Sequence, residues 1–309
     1  MRGAVITGVG TALPEKVLTN HDLESMMDTS DEWITERTGI RERRIGGTTA
    51  GLSAEAAAKA LEAAGCDPAD IDLLIVATTS PDQQCPGTSA AVAHELGINC
   101  GAFDLNSACT GWVSALITGH GWIAQGMDKV LVVGAETLSR MTDYSDRGTG
   151  ILFADGAGAA VLEAVDGPGQ MMGFDIGTDG SLRHILYADH GGVLTMDGRE
   201  VFRRAVRVMV DSANKVFERA GVTPEDIDVV IPHQANIRII ESAVQKLGLS
   251  MDKTAVVLDR TGNTSAATVP LALDEAISTG RVHPGDKVLF VGFGAGMTWA
   301  SAVVTWGGQ

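Results

Sequence analysis

The chain has 309 residues, 45% of them apolar and 20% charged, which is the balance of a globular protein and excludes disordered or fibrous structure. Its 39 acidic residues outnumber its 23 basic ones, and the formal charge of −16 repels phosphate backbones, so we expect no nucleic acid partner. Its 4 cysteines lack the CxxC spacing of zinc sites and the density of disulfide scaffolds, so we expect no metal and a reducing, cytoplasmic setting.

The first third of the chain predicts a strand, a helix and a second strand. The opening segment MRGAVITGVGTALPEK predicts a β-strand, because glycines interrupt its apolar run and no small-residue cleavage site follows it. Residues 57–75 predict a helix that stops at a glycine, a turn of the pattern Pro-x-Asp-Ile-Asp and an apolar strand at Leu73–Ala77. A strand that is apolar on both faces indicates a central sheet covered by helices.

A candidate nucleophile follows. Cys109 is predicted in the first turn of a helix whose apolar residues recur at helical spacing, at Trp112, Val113, Leu116 and Ile117. The positive end of a helix dipole lowers the pKa of a thiol, so we expect Cys109 to supply a thiolate for reaction with a thioester. Taken alone, a cysteine on a helix is more often a small buried apolar residue.

The second half of the chain repeats the first. A shift of 156 positions aligns residues 57–75 with 213–231 at ten identical positions of nineteen, and a shift of 158 aligns KVLVVG at 129–134 with KVLFVG at 287–292. We therefore predict two copies of one α/β unit, residues 1–166 and 167–309, joined at the turn DGPG. Two such units stacked face to face give a five-layered sandwich with a pseudo-twofold axis.

The two copies differ where strands end, and open α/β sheets bind their ligands at such ends. His233 follows a strand in the second copy where the first copy has an alanine. At a shift of 155, Cys109 stands opposite Thr264, and Asn263 stands opposite Ala108. We expect Cys109, His233 and Asn263 to meet across the axis.

These three side chains fit one kind of chemistry. A thiolate accepts an acyl group, and a neutral imidazole and an amide can both donate hydrogen bonds to the oxygen of an enolate. The glycine turn at 293–296 can present backbone N–H groups to a second oxyanion. Acyl transfer followed by carbon–carbon bond formation is the reaction class that this set favours.

The uncharged run at 288–308 is long enough to raise the possibility of a membrane span. Its glycines and hydroxyl residues favour two buried strands joined by a glycine turn, so we expect no membrane association.

Six motifs spread over nearly the whole chain resemble the β-ketoacyl-acyl carrier protein synthase III family of the thiolase superfamily. They are DEWI with RTGI at 31–40, ACTG at 108–111, DRGT at 146–149, PHQAN at 232–236, GNTS at 262–265 and FGAGMTW at 293–299. The pairing of one histidine with one asparagine is similar to the type III class and differs from the elongating ketoacyl synthases, which use two histidines.

The resemblance implies a thiolase-like duplicated α-β-α-β-α sandwich and a decarboxylative condensation that initiates fatty acid biosynthesis. Cys109 would take an acyl group from acyl-coenzyme A, and His233 and Asn263 would hold the enolate that malonyl-acyl carrier protein yields. The N–H groups of Cys109 and Ala295 would hold the tetrahedral oxyanion, and Phe293 would lie beside the malonyl carboxylate. Ala295 replaces a glycine of the commonest motif, which is harmless if its φ is negative.

The resemblance also implies contacts to substrates and a partner subunit. Trp33 and Arg147 would sandwich the adenine of coenzyme A, Arg37 would hold its phosphates, and Asn236 would line the pantetheine tunnel. Acyl-coenzyme A is then a substrate, no cofactor is needed, and the chain forms a homodimer. Cys85 stands where some members contribute a phenylalanine to the partner's acyl pocket, which predicts a roomier pocket; the loop at 184–192 is shorter than usual.

Acyl carrier proteins are acidic, and so is this chain, so the two should repel each other. We therefore expect a local basic patch where the carrier docks. Arg199, Arg203 and Arg207 would lie on one helix face. The family docks its carrier at positions that match Arg203, Arg238 and Lys246.

Alternatives remain at this point. A related type III ketosynthase that primes a polyketide or other secondary pathway would share all of these residues. A cysteine thioester hydrolase would need an acid between Cys109 and His233 and would release a free acid. A non-catalytic scaffold is the third alternative, and the primer could be acetyl, branched or longer.

Overall fold

The computed structural model describes residues 2–307, which form two similar α/β halves. The elements of the first half are β1 (Arg2–Ala12), β2 (Val17–Thr19), α1 (Asn20–Glu24), α2 (Asp31–Thr38), β3 (Glu42–Arg44), α3 (Thr49–Ala64), β4 (Leu73–Ala77), α4 (Thr88–Leu96), β5 (Gly101–Leu105), α5 (Gly111–Ala124), β6 (Lys129–Thr137) and β7 (Asp155–Asp166). Those of the second half are β8 (Met171–Thr178), β9 (Leu186–Tyr187), β10 (Thr195–Met196), α6 (Gly198–Ala220), β11 (Val229–Pro232), α7 (Ile237–Lys246), α8 (Leu258–Thr261), α9 (Thr268–Ser278), β12 (Lys287–Gly294) and β13 (Thr298–Thr305). The predicted boundary at 166/167 falls at the end of β7.

Each half is built on one twisted sheet. The first sheet has the strand order β1-β7-β6-β4-β5, with β4 parallel to β5 and β6 and with β7 antiparallel to its neighbours. The second has the order β11-β12-β13-β8, with β11 parallel to β12. Two short hairpins, β2 with β3 and β9 with β10, lie outside these sheets.

The sheets and helices stack in five layers, which confirms the predicted sandwich. One apolar cluster joins the inner faces of both sheets through α5 and α9, which form the middle layer. Separate clusters lie on the outer faces, where α3 and α4 cover the first sheet and α6 and α7 cover the second. The central strands are buried on both faces because helices cover them on both sides.

The internal repeat is visible in the structure. Helices α3 and α6 both end at a glycine with positive φ, Gly65 and Gly221, and a 3-10 turn at Pro68–Asp70 or Pro224–Asp226 then leads into β4 or β11. Glycine is favoured at these two helix ends because the left-handed backbone strains a residue that has a Cβ atom.

The halves differ at the edge of the second sheet. The counterpart of β5 is reduced to a single bridge between Val230 and Thr254. The side chain of Gln234 takes over there, since it donates to the carbonyl oxygen of Ala255 and accepts from the N–H of Val257. The side chain of Gln234 thus pairs with backbone groups that would bond to β11 if this segment formed a fifth strand.

The uncharged run near the C-terminus forms the antiparallel pair β12 and β13, as predicted. None of the helices formed by residues 2–307 combines the length and the apolar character that crossing a bilayer requires.

Candidate functional site

Cys109 lies between β5 and α5. It sits in a 3-10 turn at Ala108–Thr110, directly before the first residue of α5, and it is buried. Burial raises the pKa of the Cys109 thiol to about 12, while the Ser265 hydroxyl and the N–H groups of Cys109 and Ala295 act in the opposite direction. The expected lowering of this pKa is wrong, because desolvation of the thiolate outweighs the stabilisation that the positive end of the helix dipole gives it.

The turn between β12 and β13 supplies the second N–H group beside the sulfur. A Cβ atom at Gly294 would meet the backbone nitrogen of Cys109 at 2.7 Å, so this close approach requires glycine. Ala295 follows it, and its φ is not among the positive ones within residues 2–307, so alanine fits without strain. The N–H groups of Cys109 and Ala295 both face the thiol, which is the arrangement an oxyanion hole needs.

His233 continues from β11, and its backbone N–H donates to the carbonyl oxygen of Val291 at 2.9 Å. Its ring packs edge-on against Phe293, with the ring centroids 5.3 Å apart. Nδ1 lies 2.7 Å from the Thr268 hydroxyl, and Nε2 has no hydrogen-bond partner among residues 2–307. Burial lowers the pKa of His233 to about 3, so the imidazole is neutral at physiological pH.

Asn263 is held by backbone bonds on both sides and by its own side chain. Its N–H donates to the carbonyl oxygen of Leu152, and its carbonyl oxygen accepts from Ala154, each at 2.9 Å. Its Oδ1 accepts from the N–H of Ser265, also at 2.9 Å. Nδ2 is therefore the end of the amide that is left to donate into the cavity.

The structure corrects the alignment of the two copies around Asn263. Asn106 makes the same bond in the first half, where its Oδ1 accepts from the N–H of Ala108. Ala108 and Ser265 share an unusual positive φ, of 48° and 47°, and each opens a 3-10 turn before α5 or α9. The matching positions are thus 157 apart instead of 155, and Asn263 is a shared residue, not a departure.

Under the corrected alignment, Cys109 stands opposite Ala266 instead of Thr264. The match of Ala77 with His233 stands. Ala77 pairs with Gly134 in the first sheet, and His233 lies against Gly292 in the second. Gly134 and Gly292 are matching positions of the repeat. Cysteine and histidine remain the residues that only one copy carries.

Two cavities meet at Cys109. The larger, of about 350 Å³, is lined mainly by apolar side chains, including Leu138, Phe153 and Leu194, together with Ser265 and the exposed Arg183. The smaller, of about 80 Å³, is lined by Cys109, His233, Asn263, Phe293, Asn236 and Phe202 among others. The side chains predicted to act as nucleophile, imidazole and amide therefore line one cavity, and their roles remain predictions.

A cluster of aromatic and cationic side chains lies next to Asn236, which lines the smaller cavity. The guanidinium carbons of Arg37 and Arg147 lie 4.7 Å and 4.5 Å from the centre of the Trp33 ring. Arg147 also donates to the carbonyl oxygen of Asp28 at 3.0 Å. Asn236 ties this cluster to α7, since its amide donates to the carbonyl oxygen of Arg37.

The predicted docking residues differ in how free their charges are. Arg199, Arg203 and Arg207 lie on α6 as predicted, but Arg203 pairs with Glu200 at 2.7 Å and Arg207 pairs with Asp211 at 3.5 Å. Arg238 and Lys246, on α7, are exposed and have no acidic partner within 4 Å among residues 2–307. Arg199 is also exposed and has no acidic partner within this distance among the same residues, so uncompensated charges lie at Arg199 on α6 and at Arg238 and Lys246 on α7.

Cys85 lies on an exposed loop after β4 and lines none of the described cavities of its own chain that contain Cys109. The loop at 184–192 contains β9, and Leu186 and Tyr187 from that strand line the larger cavity.

Sequence reasoning missed three polar residues beside Cys109. Glu136 is fully buried on β6, and it accepts hydrogen bonds from Thr79, Ser80 and Ser265. Burial raises the pKa of Glu136 above its usual range. Ser265 and Thr268 link this carboxyl and His233 to the turn before α9. The charged residue inside the apolar run of β6 was the one available signal.

No group of three His, Cys, Asp or Glu side chains among residues 2–307 is arranged to hold a metal ion.

Comparisons with known proteins point to one family. Residues 103–180 match the family model of 3-oxoacyl-[acyl-carrier-protein (ACP)] synthase III, and residues 217–306 match that of its C-terminal part. A β-ketoacyl-[acyl-carrier-protein] synthase III of Allorhizobium ampelinum is 47% identical over 98% of this chain and 99% of its own. The crystal structure of 3-oxoacyl-[acyl-carrier-protein] synthase III from Aquifex aeolicus has a TM-score of 0.96 and 44% identity, covering 98% of this chain and all of that one.

A priming β-ketosynthase from the R1128 polyketide biosynthetic pathway is also similar. Its structure has a TM-score of 0.93 and 39% identity, and the match covers 99% of this chain and 97% of that one. With relatives this similar over almost its whole length, the chain belongs to the β-ketoacyl-[acyl-carrier-protein] synthase III family.

Proposed function

We propose that Cys109, His233 and Asn263 carry out the two half-reactions of a β-ketoacyl-acyl carrier protein synthase III. The family assignment makes the chain a condensing acyltransferase of fatty acid initiation. The observation that supports these residue roles is that the thiol, the imidazole and the amide line one cavity.

The first half-reaction is the transfer of an acyl group from acyl-coenzyme A to Cys109. Because the thiol and the imidazole are both neutral, the thiol proton has to leave as the sulfur attacks. Nε2 of His233 is buried, has no hydrogen-bond partner within residues 2–307 and belongs to a residue that lines the same cavity, so it is the base we assign. The carbonyl oxygen of the thioester then develops charge against the N–H groups of Cys109 and Ala295.

The second half-reaction is the condensation with malonyl-acyl carrier protein. Loss of carbon dioxide leaves an enolate, whose oxygen would accept hydrogen bonds from Nδ2 of Asn263 and from the ring of His233. The enolate carbon then attacks the acyl group on Cys109, and the thiolate leaves. The rings of His233 and Phe293 pack in an edge-to-face arrangement, so Phe293 shields one side of the imidazole from water, which would strengthen both hydrogen bonds.

His233 does not fit the hydrolase alternative. A cysteine hydrolase orients its imidazole with an acid or amide at Nδ1, whereas Nδ1 of His233 contacts a hydroxyl. The ring is instead set up to serve as a neutral partner for a substrate oxygen.

The polyketide alternative keeps one specific observation in its favour, the 39% identity to a priming β-ketosynthase. The two functions share the chemistry and differ in acyl donor and carrier. Comparing the chain's rate with a fatty acid carrier and with a polyketide carrier, both malonylated, separates them.

We infer a homodimer from the apolar side chains left exposed on one side of the molecule. Phe103 on β5, Trp122 on α5, and Phe174 with Ile176 on β8 are exposed by 37% to 54%. Strands β5 and β8 are sheet edges, and α5 contacts β8 and β4, the neighbour of β5. An open edge flanked by apolar side chains is what a second copy of the chain would cover.

Intact-mass spectrometry tests the proposed function. The protein is mixed with a panel of acyl-coenzyme A donors, and we expect one acyl group per chain on Cys109. Addition of malonyl-acyl carrier protein should remove that group and yield a β-ketoacyl carrier. Cys109→Ser should carry no adduct, and an adduct that persists in this variant would refute the assignment.

A further inference from the structure

Thr268 contacts Nδ1, one of the two ring nitrogens of His233. Its hydroxyl oxygen lies 2.7 Å from Nδ1, and both residues are 1% exposed. At the other side of the ring, Nε2 has no hydrogen-bond partner in the described part of the chain, and His233 lines the cavity that Cys109 and Asn263 also line. The group that decides whether Nδ1 carries the ring proton therefore also decides whether Nε2 accepts or donates a hydrogen bond.

The hydroxyl has a second neighbour, and this decides the direction of the bond. It lies 2.9 Å from the backbone carbonyl oxygen of Ser265, which can only accept. A hydroxyl has one hydrogen. When Thr268 donates it to Ser265, its oxygen can only accept from the ring, so Nδ1 must carry the proton and Nε2 must be bare.

The carbonyl group of Ser265 is itself held in place. Ser265 has a positive φ of 47°, and its N–H and hydroxyl bind Asn263 and Glu136. One turn thus orients the amide of Asn263 directly and the imidazole of His233 through Thr268.

We propose that Thr268 is a positioning residue for the reaction: its hydroxyl, held between Nδ1 of His233 and the carbonyl oxygen of Ser265, keeps the resting imidazole in the Nδ1–H tautomer and leaves Nε2 free to accept the Cys109 proton. The inference rests on the function proposed above. In acyl loading, the Sγ–H bond of Cys109 breaks and Nε2 takes the proton. The bond from Sγ to the acyl carbon forms, the thioester bond to coenzyme A breaks, and the departing sulfur takes the proton from Nε2.

The same hydroxyl can serve the condensation. There the enolate oxygen needs a donor, so the ring must carry its proton on Nε2. Between the half-reactions Nε2 therefore takes up a proton from water in the cavity, and Nδ1 releases its own proton to water. By turning its hydrogen from Ser265 to Nδ1, Thr268 provides the donor that this second tautomer requires. A hydroxyl at position 268 is thus compatible with both half-reactions, whereas an apolar side chain would leave Nδ1 without a partner in either.

Ring-labelled ¹⁵N-histidine NMR tests the proposal directly, because the two ring nitrogens of a neutral imidazole differ in chemical shift according to which carries the proton. In the resting protein we expect His233 to show a protonated Nδ1 and a bare Nε2; a His233→Gln variant identifies the signal. A resting ring with the proton on Nε2 would overturn the proposal, and this measurement needs no variant of Thr268.

Three variants extend the test to the reaction. Thr268→Val keeps the shape without the hydroxyl, and we expect it to shift the ring toward Nε2–H and to slow single-turnover loading of Cys109 about tenfold or more. Thr268→Ser keeps the hydroxyl and should restore both the Nδ1–H tautomer and the loading rate. Thr118→Val is the matched control, because it removes a partly buried hydroxyl from a helix outside the site. A Thr268→Val protein that melts normally but loads at the unchanged rate contradicts the proposal and points to the Ser265–Glu136 pair as the proton acceptor. Failure of the proposed function is distinct, since then no donor labels Cys109 in any of these proteins.

Discussion

The backbone N–H of Ser265 donates to Oδ1 of Asn263 at 2.9 Å, and this bond decides which end of the amide faces the cavity. Replacing Asn263 by aspartate keeps the acceptor for Ser265 but puts a second acceptor where Nδ2 stood. We expect the condensation rate to fall by about 10²–10³-fold, since the donor to the enolate oxygen becomes a like charge. Acyl loading of Cys109 does not use this donor and should continue.

Separate half-reactions check this prediction. Loading is followed by intact mass, and condensation by carbon dioxide release from malonyl-acyl carrier protein. Asn106→Asp, the same change at the matching position in the first half, is the control for damage to the turn. An equal loss of both half-reactions in Asn263→Asp would show that the amide is structural.

Two histidines link the stability of the fold to pH. Burial lowers the pKa of His120 to about 4 and that of His233 to about 3, whereas an unfolded histidine titrates near pH 6.5. Above pH 6.5 neither state is protonated, and the folded protein keeps its full stability. As the pH falls from 6.5 toward 4, the unfolded chain binds protons that the folded chain excludes, so the free energy of unfolding falls by about 1.4 kcal/mol per pH unit for each histidine.

Urea unfolding at pH 7, 6 and 5 measures this slope. Between pH 6 and 5, His120→Gln should lose one of the two contributions and so unfold with a shallower pH dependence than the parent. His94→Gln is the control, because His94 lies exposed on the surface of α4. Identical slopes for the parent and His120→Gln would contradict the buried neutral state of His120.

The Arg147 guanidinium carbon lies 4.5 Å from the centre of the Trp33 ring. A base stacked between them needs about 7 Å, so the predicted stacking of adenine requires Arg147 to move outward by about 2.5 Å. We expect Arg147→Ala to raise the KM for acyl-coenzyme A about tenfold and to leave kcat unchanged, because the stacking partner is lost far from the reacting atoms. The matching acyl-pantetheine donor lacks adenine, and its KM should not change; a rise with both donors would place Arg147 elsewhere in the path.

The sequence predicted the layers, and it predicted that Cys109 and His233 come together, because both follow from local patterns. The glycine after each helix, the Pro-x-Asp turn and the apolar strand repeat at one spacing, and the KVLVVG match fixes the register that sets His233 against Ala77. Asn263 was misaligned because the second half inserts a helical turn, α8, between the position of Thr254 and the asparagine. Identity in that stretch is too low to show the insertion.

The surroundings of Cys109 could not be read in the same way. The residues around it come from distant parts of the chain. Glu136 and Ser265, for example, are hydrogen-bonded to each other and lie 129 residues apart. Burial of the thiol depends on all five layers closing around it, and burial is what reverses the direction of the pKa shift. Helix position alone predicts the opposite direction.

Charge at Arg238 on α7 should matter more than charge at Arg203 on α6 for the carrier half-reaction. Arg203 already pairs with Glu200, whereas Arg238 has no acidic partner within 4 Å in the described part of the chain, and its guanidinium carbon lies 6.0 Å from the centre of the Phe202 ring at the smaller cavity. We expect Arg238→Glu to slow condensation with malonyl-acyl carrier protein severalfold and Arg203→Glu to slow it less, with loading from acyl-coenzyme A unchanged in both. Added salt should reduce the difference between Arg238→Glu and the parent, because the interaction is exposed and screened. Equal loss in the loading step would exclude a docking role.

Cys85 is exposed on its own chain, and the proposed dimer would carry it into the acyl pocket of the partner. A bulky side chain there shortens that pocket, so we expect Cys85→Phe to retain loading from acetyl-coenzyme A and to lose loading from donors longer than the shortened pocket. Cys85→Ser is similar in size to the parent and should load both kinds of donor. A Cys85→Phe protein that loads all donors as the parent does would contradict a place for this residue in any pocket.

Mixed dimers decide whether the residue acts across the interface. In a dimer of one Cys85→Phe chain and one Cys109→Ser chain, the single reactive cysteine belongs to the chain that carries the phenylalanine. If position 85 lines the partner's pocket, that cysteine receives the parent Cys85 from the other chain, and long-chain loading returns to one adduct per dimer. If position 85 acts within its own chain, the phenylalanine stays beside the reactive cysteine and long donors remain excluded. Because both chains are present in either case, the adduct mass alone distinguishes the two arrangements.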